Sequence, residues 1–336
     1  MFKSLNLMLL IVACLLSSTL IAENWNLELI QEIEYSEENF LELVYSSSLS
    51  SLNDSTITYF YNDKQFLFNT NTYETVSFGE DGDGPGEFRD ATNLIEVADR
   101  KYCIDNKKYS LIFFDKDNNL INDIRVDHSS MNLINVDDKY IVAKKIPPKT
   151  GAKLLNFYNS DGKLIKNECP VIDNVLNYKT YPKLTYLYMN TQLIYHKKDI
   201  YLLFNWLPCL LKYSQETMEN EIIDFEDQLP FKSSRPVLDI GERSGLVASV
   251  YYQSLVGQSE NSLFVFGRNG GSLKAGEIIY PYFFKIDSHD KSVSMIDLYT
   301  SNEKINLTEY HDLYVLKDRL YLFDEEAELL KIYEIN

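Results

Sequence analysis

The sequence predicts an all-β fold built from short antiparallel strands, and three observations carry that expectation. Apolar, aromatic and β-branched runs recur between clusters of Asp, Asn, Gly and Ser, while helical periodicity is scarce. Tyrosine and phenylalanine are abundant, 25 and 18 of the 336 residues. Such side chains suit a half-buried pleated surface, because they cover much area for few residues. The runs also return in a fixed order.

In chain order, the first copy reads Thr56-Ile-Thr-Tyr-Phe60, Gln65-Phe-Leu-Phe-Asn69 and Thr75-Val-Ser-Phe78. The second is Tyr102-Cys-Ile-Asp105, Leu111-Ile-Phe-Phe-Asp115, a turn through Lys116-Asp-Asn-Asn119, then Leu120 to Val126. The third is Lys139-Tyr-Ile-Val142, Leu154-Leu-Asn-Phe-Tyr-Asn159, Ser160-Asp-Gly162 and Lys163-Leu-Ile165. Looser copies pair Asp199–Leu203 with Cys209–Tyr213, Ser262–Phe266 with Tyr282–Asp287, and Arg319–Asp324 with Leu330–Tyr333. Six copies over residues 23–336 leave about 52 residues for each, enough for a four-stranded meander. The last copy ends at Asn336 without room for an outer strand. Leu27-Glu-Leu-Ile-Gln-Glu-Ile33 alternates as a strand should, so it is expected to supply that place and tie the two ends of the chain together.

Between the first two copies lies Gly79-Glu-Asp-Gly-Asp-Gly-Pro-Gly-Glu-Phe88. Its glycines permit positive φ and Pro85 fixes the neighbouring φ, as a tight connector requires. Together with the apolar-x-Phe-Asp strand that follows, this run resembles the inter-blade signature of bacterial six-bladed β-propeller proteins related to the NHL repeat. The resemblance extends over most of the chain and is close from Gly79 to Val126. It implies a six-bladed β-propeller of four-stranded antiparallel blades, closed by the N-terminal strand, in an extracytoplasmic setting; it transfers no catalytic residue. Related rings that act as sugar lactonases or lyases hold a divalent metal in the central channel, which gives a second functional class.

At the N-terminus, Lys3, the apolar run Leu7 to Leu16 and the small residues before Ala22 have the order of a secretory signal. The expected organisation is therefore a signal peptide over 1–22 and one domain over 23–336. A rival reading takes Ile11-Val-Ala-Cys14 as a lipoprotein box with Cys14 acylated, although Leu15-Leu16 stand where a polar tether is usual. No later segment has 18 consecutive apolar residues, so no transmembrane helix is expected.

The chain carries 32 basic and 50 acidic residues, a net charge of −18. Binding to a phosphate backbone needs a positive footprint, so nucleic acid is not an expected partner. Cys103, Cys169 and Cys209 are widely spaced, which fits buried thiols better than a disulfide framework or a zinc site.

Catalytic signals are absent from the local pattern. Gly82-x-Gly84-x-Gly86 lacks dinucleotide-loop spacing, and there is neither a Gly-x-Ser-x-Gly elbow nor an HExxH among His128, His196, His289 and His311. Glu80, Asp81, Asp83 and Glu87 offer oxygen donors of the kind Ca²⁺ takes, without EF-hand spacing; no cofactor is predicted. Asn93, Asn132 and His311 fall near expected inner strands and are the candidates for a channel metal. Aromatic side chains with polar tips on loops are common binding groups. Accordingly Glu87, Arg89 and Asp90 in the connector, and Tyr178, Tyr181, Tyr186 and Tyr188 in the Tyr-rich run, are the candidate ligand contacts at one mouth of the channel. The functional expectation is a secreted or envelope-associated binding module for a protein or carbohydrate.

Overall fold

The computed structural model describes residues 22–36, 49–61, 63–126, 132–144, 153–170, 191–204, 209–225, 228, 237–238, 246–247, 250–301 except 271–280, 303–324 and 326–336. Strand β1 (Ala22–Glu34) opens the chain. Four antiparallel meanders follow: β2 (Ser50–Asn53), β3 (Thr56–Tyr61), β4 (Lys64–Asn69) and β5 (Thr75–Phe78); β6 (Ile95–Val97), β7 (Arg100–Asp105), β8 (Ser110–Phe114) and β9 (Leu120–Arg125); β10 (Leu133–Val136), β11 (Tyr140–Lys144), β12 (Lys153–Tyr158) and β13 (Leu164–Pro170); β14 (Thr191–His196), β15 (Asp199–Phe204), β16 (Cys209–Ser214) and β17 (Asn220–Asp224). Two short strands, β18 (Val237–Leu238) and β19 (Leu246–Val247), pair with each other.

The remaining strands form one nine-stranded sheet: β20 (Val250–Gln258), β21 (Ser262–Gly270), β22 (Pro281–Asp287), β23 (Val293–Thr300), β24 (Glu303–Lys304), β25 (Tyr310–Leu316), β26 (Arg319–Asp324) and β27 (Leu329–Ile335), joined through β1 in the order β20-β21-β22-β23-β1-β27-β26-β25. As expected, Leu27 to Ile33 runs antiparallel to the last strand, from Leu27 opposite Ile335 to Ile33 opposite Leu330. Unexpectedly, Ala22–Asn26 also pairs in parallel with β23.

The repeated Asp or Asn that ends the third strand of a copy has a local cause. Asn69, Asp115, Asn159 and Asp287 each accept two backbone N–H bonds from the turn ahead through Oδ1, for example Asp117 at 2.8 Å and Asn119 at 2.9 Å onto Asp115. An Asx side chain thereby replaces the backbone acceptor that a free turn lacks and fixes the hairpin to the outer strand.

Apolar clusters lie between successive sheets rather than within one centre. Phe88, Leu94 and Ile112 pack with Phe60 and Leu67 between the first two sheets; Tyr102, Phe113 and Ile141 join the second to the third; Phe157, Leu202 and Leu211 join the third to the fourth. Leu203 and Leu210 meet Val265 and Phe284. Phe264 and Phe283 meet Leu320 and Leu322 across the nine-stranded sheet. Finally, Ile57, Tyr59 and Phe66 of the first sheet pack on Tyr321, Phe323 and Leu330 near the end of the chain, so the sheets form a closed propeller-like ring. Cys103, Cys169 and Cys209 are buried and unbridged, as expected. No helix among the described residues is long and apolar enough to cross a membrane.

Candidate ligand-binding channel

The first strand of each meander is its innermost. β2 adjoins β6, β6 adjoins β10, β10 adjoins β14, β14 adjoins β20, and β20 adjoins β25. These strands enclose a cavity of about 1050 Å³, lined by Ser51, Glu96, Asn135, Tyr195, Gln258 and Val315 among others. A cavity of this size accommodates a ligand of oligosaccharide or short-peptide dimensions.

An inner strand exposes unpaired backbone groups to its neighbour, and side-chain amides meet that need. Asn93 Nδ2 donates to the carbonyl of Leu133 at 3.1 Å while Leu133 N–H donates to Asn93 Oδ1 at 2.9 Å. One sheet on, Asn132 makes the same pair of bonds with Leu193, at 3.3 and 3.2 Å. Gln192 then accepts from the N–H of Leu255. The amides of Asn93 and Asn132 thus each bridge to the next sheet's backbone. Their signal was present in the sequence: Asn93-Leu-Ile95, Asn132-Leu-Ile134 and Gln192-Leu-Ile194 repeat one motif at one structural position.

One mouth of the channel is formed by the turns that follow the inner strands. Ala98 and Asp99, Asp137 and Asp138, and Lys197 and Lys198 all have φ between 50° and 69°. Two consecutive left-handed residues suit the twist of a two-residue hairpin, and glycine is the usual occupant. Here charged side chains take five of those six positions, Ala98 being the exception, so the rim is acidic with interspersed lysines. Lys317 pairs with Asp54 at 3.1 Å, Tyr195 OH donates to Asp137, and Lys197 donates to Asn261. Burial and the Asp137 carboxylate both push the Tyr195 phenol up, so it remains a neutral donor. His196, 6% exposed, also lines the channel; its Nε2 lies 3.3 Å from Ser288 Oγ. Burial, then the neighbouring Lys197, lowers its pKa and keeps the ring neutral.

Glu87, Arg89 and Asp90 lie in the connector from β5 to β6, and the described channel lining does not include them. The connector folds around Phe88, which is fully buried against Phe60, Phe78 and Phe114. Gly79 has φ +92°, and a Cβ there would stand 2.1 Å from the Phe88 ring, so glycine is required on two counts. Glu87 Oε2 accepts from Gly84 N–H at 2.6 Å, and Arg89 binds Asp81 at 3.1 Å and Asp83 at 3.2 Å. Asp105, fully buried, accepts four backbone N–H bonds: from Arg89 at 2.6 Å, Asp90 at 3.3 Å, Lys107 at 3.0 Å and Lys108 at 2.9 Å. The Asp90 carboxyl is raised by burial, with Asp105 nearby acting in the same direction. Tyr178, Tyr181, Tyr186 and Tyr188 fall outside the described residues, as do residues 1–21 of the signal segment, Trp206 and His128. His311 lies on β25.

Among the described residues no group of three or more His, Cys, Asp or Glu side chains is arranged to hold a metal ion.

No protein-family model and no curated protein sequence matches the chain. Solved structures do resemble it. A DUF4221 family member from Bacteroides vulgatus superposes with a TM-score of 0.60 at 10% identity, over 92% of this chain and 97% of its own. A Bacteroides fragilis protein whose name records an expected export gives 0.57 at 11% identity, over 93% and 98%. Virginiamycin B lyase from Staphylococcus aureus gives 0.49 at 8% identity, over 92% and 100%, too loose a likeness to bear on chemistry. The two Bacteroides likenesses support the β-propeller fold alone.

Proposed function

We propose that the protein is an extracytoplasmic, six-bladed, NHL-related β-propeller that binds a protein or carbohydrate ligand in its axial channel without turning it over. The count of six takes β20–β23 as the fifth blade and β25–β27 with β1 as the sixth. The observation that carries the binding reading is the channel itself: every blade contributes its first strand to one cavity of about 1050 Å³. The residues that face it offer hydroxyl, amide and carboxylate groups, such as Ser51, Asn135 and Glu96, suited to hydrogen-bonding a polar ligand. At the connector end, Arg89, Asp90 and the tyrosines at 178, 181, 186 and 188 are proposed to extend the contact, with Glu87 shaping the loop. Export would remove residues 1–22, and Cys14 acylation is the rival outcome.

The test is a thermal-shift screen of the purified protein against oligosaccharides and peptides, repeated with Ser51→Trp, which places an indole in the channel. A ligand that raises Tm for the natural protein and not for the variant supports the reading. Turnover of lactones or lyase substrates that requires Ca²⁺, Zn²⁺ or Mn²⁺ and stops with chelator would replace it with the metal-enzyme class.

A further inference from the structure

β1 serves two sheets at once. Ala22 to Asn26 lie parallel along β23, from Ala22 opposite Met295 to Asn26 opposite Tyr299, and the rest runs antiparallel along β27 from Leu27 opposite Ile335, with an irregularity between Leu29 and Gln31. Where the two halves meet, Trp25 and Leu27 enter the seam between the sheets and are 8% and 6% exposed. The indole meets Phe264 at 5.2 Å and Phe283 at 5.4 Å, both edge-on, a favourable geometry for aromatic rings. Its N–H, which would be costly to bury unpaired, donates to Glu23 at 3.0 Å. Glu23 in turn forms an ion pair with Lys285.

This is the construction of a strand-recognition site: a main-chain ladder supplies affinity and side-chain pockets supply specificity. The strand that fills it is joined to the rest of the ring only through residues 37–48, at the other end from Trp25. We infer that the seam between β23 and β27 is a strand-binding site whose resident ligand is the chain's own segment 23–34, and that it accepts the same segment in trans. The anchor is Trp25, with Glu23 and Lys285 setting polarity and register. Because the parallel half contributes a fifth strand to a sheet that already has four, its occupant is held by the ladder and the indole rather than by the blade's own connectivity. The inference is independent of what the channel binds.

The experiment uses the full chain with a specific protease site placed within residues 37–48, folded before it is cut. After cleavage the nicked protein is incubated with a fluorescent synthetic peptide of residues 23–34 and passed through gel filtration. The labelled peptide is expected to replace the resident strand at one per ring, and a Trp25→Ala peptide to compete at least tenfold less well. Loss of the cut strand with an unchanged melting temperature, no exchange at all, or equal competition by the Trp25→Ala peptide would each overturn the site. Should the inserted sequence prevent folding, hydrogen exchange on the uncut Trp25→Ala protein decides. Faster exchange confined to the Met295–Tyr299 amides supports the site, and exchange there equal to that of the natural chain overturns it.

Discussion

Lys144 occupies a costly position. It ends β11, is fully buried, and its Nζ has no hydrogen-bond partner among the described residues. Burial lowers its pKa well below the usual lysine range, which favours the neutral amine in the folded state relative to the unfolded chain. Stability is therefore highest above the unfolded pKa and falls as pH drops from there toward the folded value. Lys144→Met should raise unfolding free energy at pH 7 by about 1–3 kcal/mol, with the advantage shrinking toward pH 10 in paired urea melts. An equal advantage at both pH values would show that the amine is not the cause. Gly79 makes the opposite prediction. Gly79→Ala meets Phe88 and a positive φ, and should destabilise by about 2–4 kcal/mol, whereas Gly86→Ala, whose nearest neighbour is Leu120 at 3.4 Å, should cost about 1 kcal/mol. The sequence disclosed this need for glycine, because a Gly-rich run between two strand-like segments has few other uses. It did not disclose Lys144, since one lysine after Tyr-Ile-Val-Ala reads as the end of a strand.

Among the elements, the second and third strands of each repeat were legible because they are buried on both faces and read as unbroken apolar runs, as in Tyr102–Asp105 and Leu111–Phe114. The inner strands were not. β6 has three residues, and hairpin turns filled by Ala98-Asp99 or Lys197-Lys198 carry no glycine signal. The clamps that align these strands can be tested one at a time: Asn93→Leu leaves both the N–H and the carbonyl of Leu133 without the partners they have now, and should destabilise by about 2–3 kcal/mol in denaturant melts. No loss would mean that the cross-sheet amide is dispensable. The alternation of Leu27–Ile33 announced its pairing with β27, but Ala22–Asn26 gave no such cue, because parallel pairing with β23 depends on a partner some 270 residues away. Removing residues 22–34 exposes the edges of β23 and β27 together. A chain beginning at Tyr35 should melt at least several degrees lower and less cooperatively, and an unchanged melting curve would contradict closure by β1.

For the whole molecule, ring closure and channel have one origin. Sheets with apolar faces pack on their neighbours until the first meets the last, and the strand left at the centre of each lines a cavity that its own sheet cannot fill. Composition told of a β protein and the repeat told of a ring, but the channel's chemistry depends on which inner-strand side chains face inward, and that is set by register rather than by local pattern. The segment expected to crown one mouth, Tyr178 to Tyr188, falls outside the described residues, so the candidate site was legible in outline and not in its ligand contacts. Processing is predicted to leave Glu23 as the first residue of the exported protein, which intact-mass measurement checks; a diacylglycerol adduct on Cys14 is the contrary result. The central claim is that the channel takes up a polar ligand and returns it unchanged. Ligand-observed NMR on a mixture of oligosaccharides and peptides, with and without Ca²⁺, Zn²⁺ and Mn²⁺, tests it most directly. The account predicts line broadening of a bound component that disappears with Ser51→Trp, its spectrum otherwise constant with time, whereas broadening that survives in the variant, or a metal-dependent new product, would contradict it.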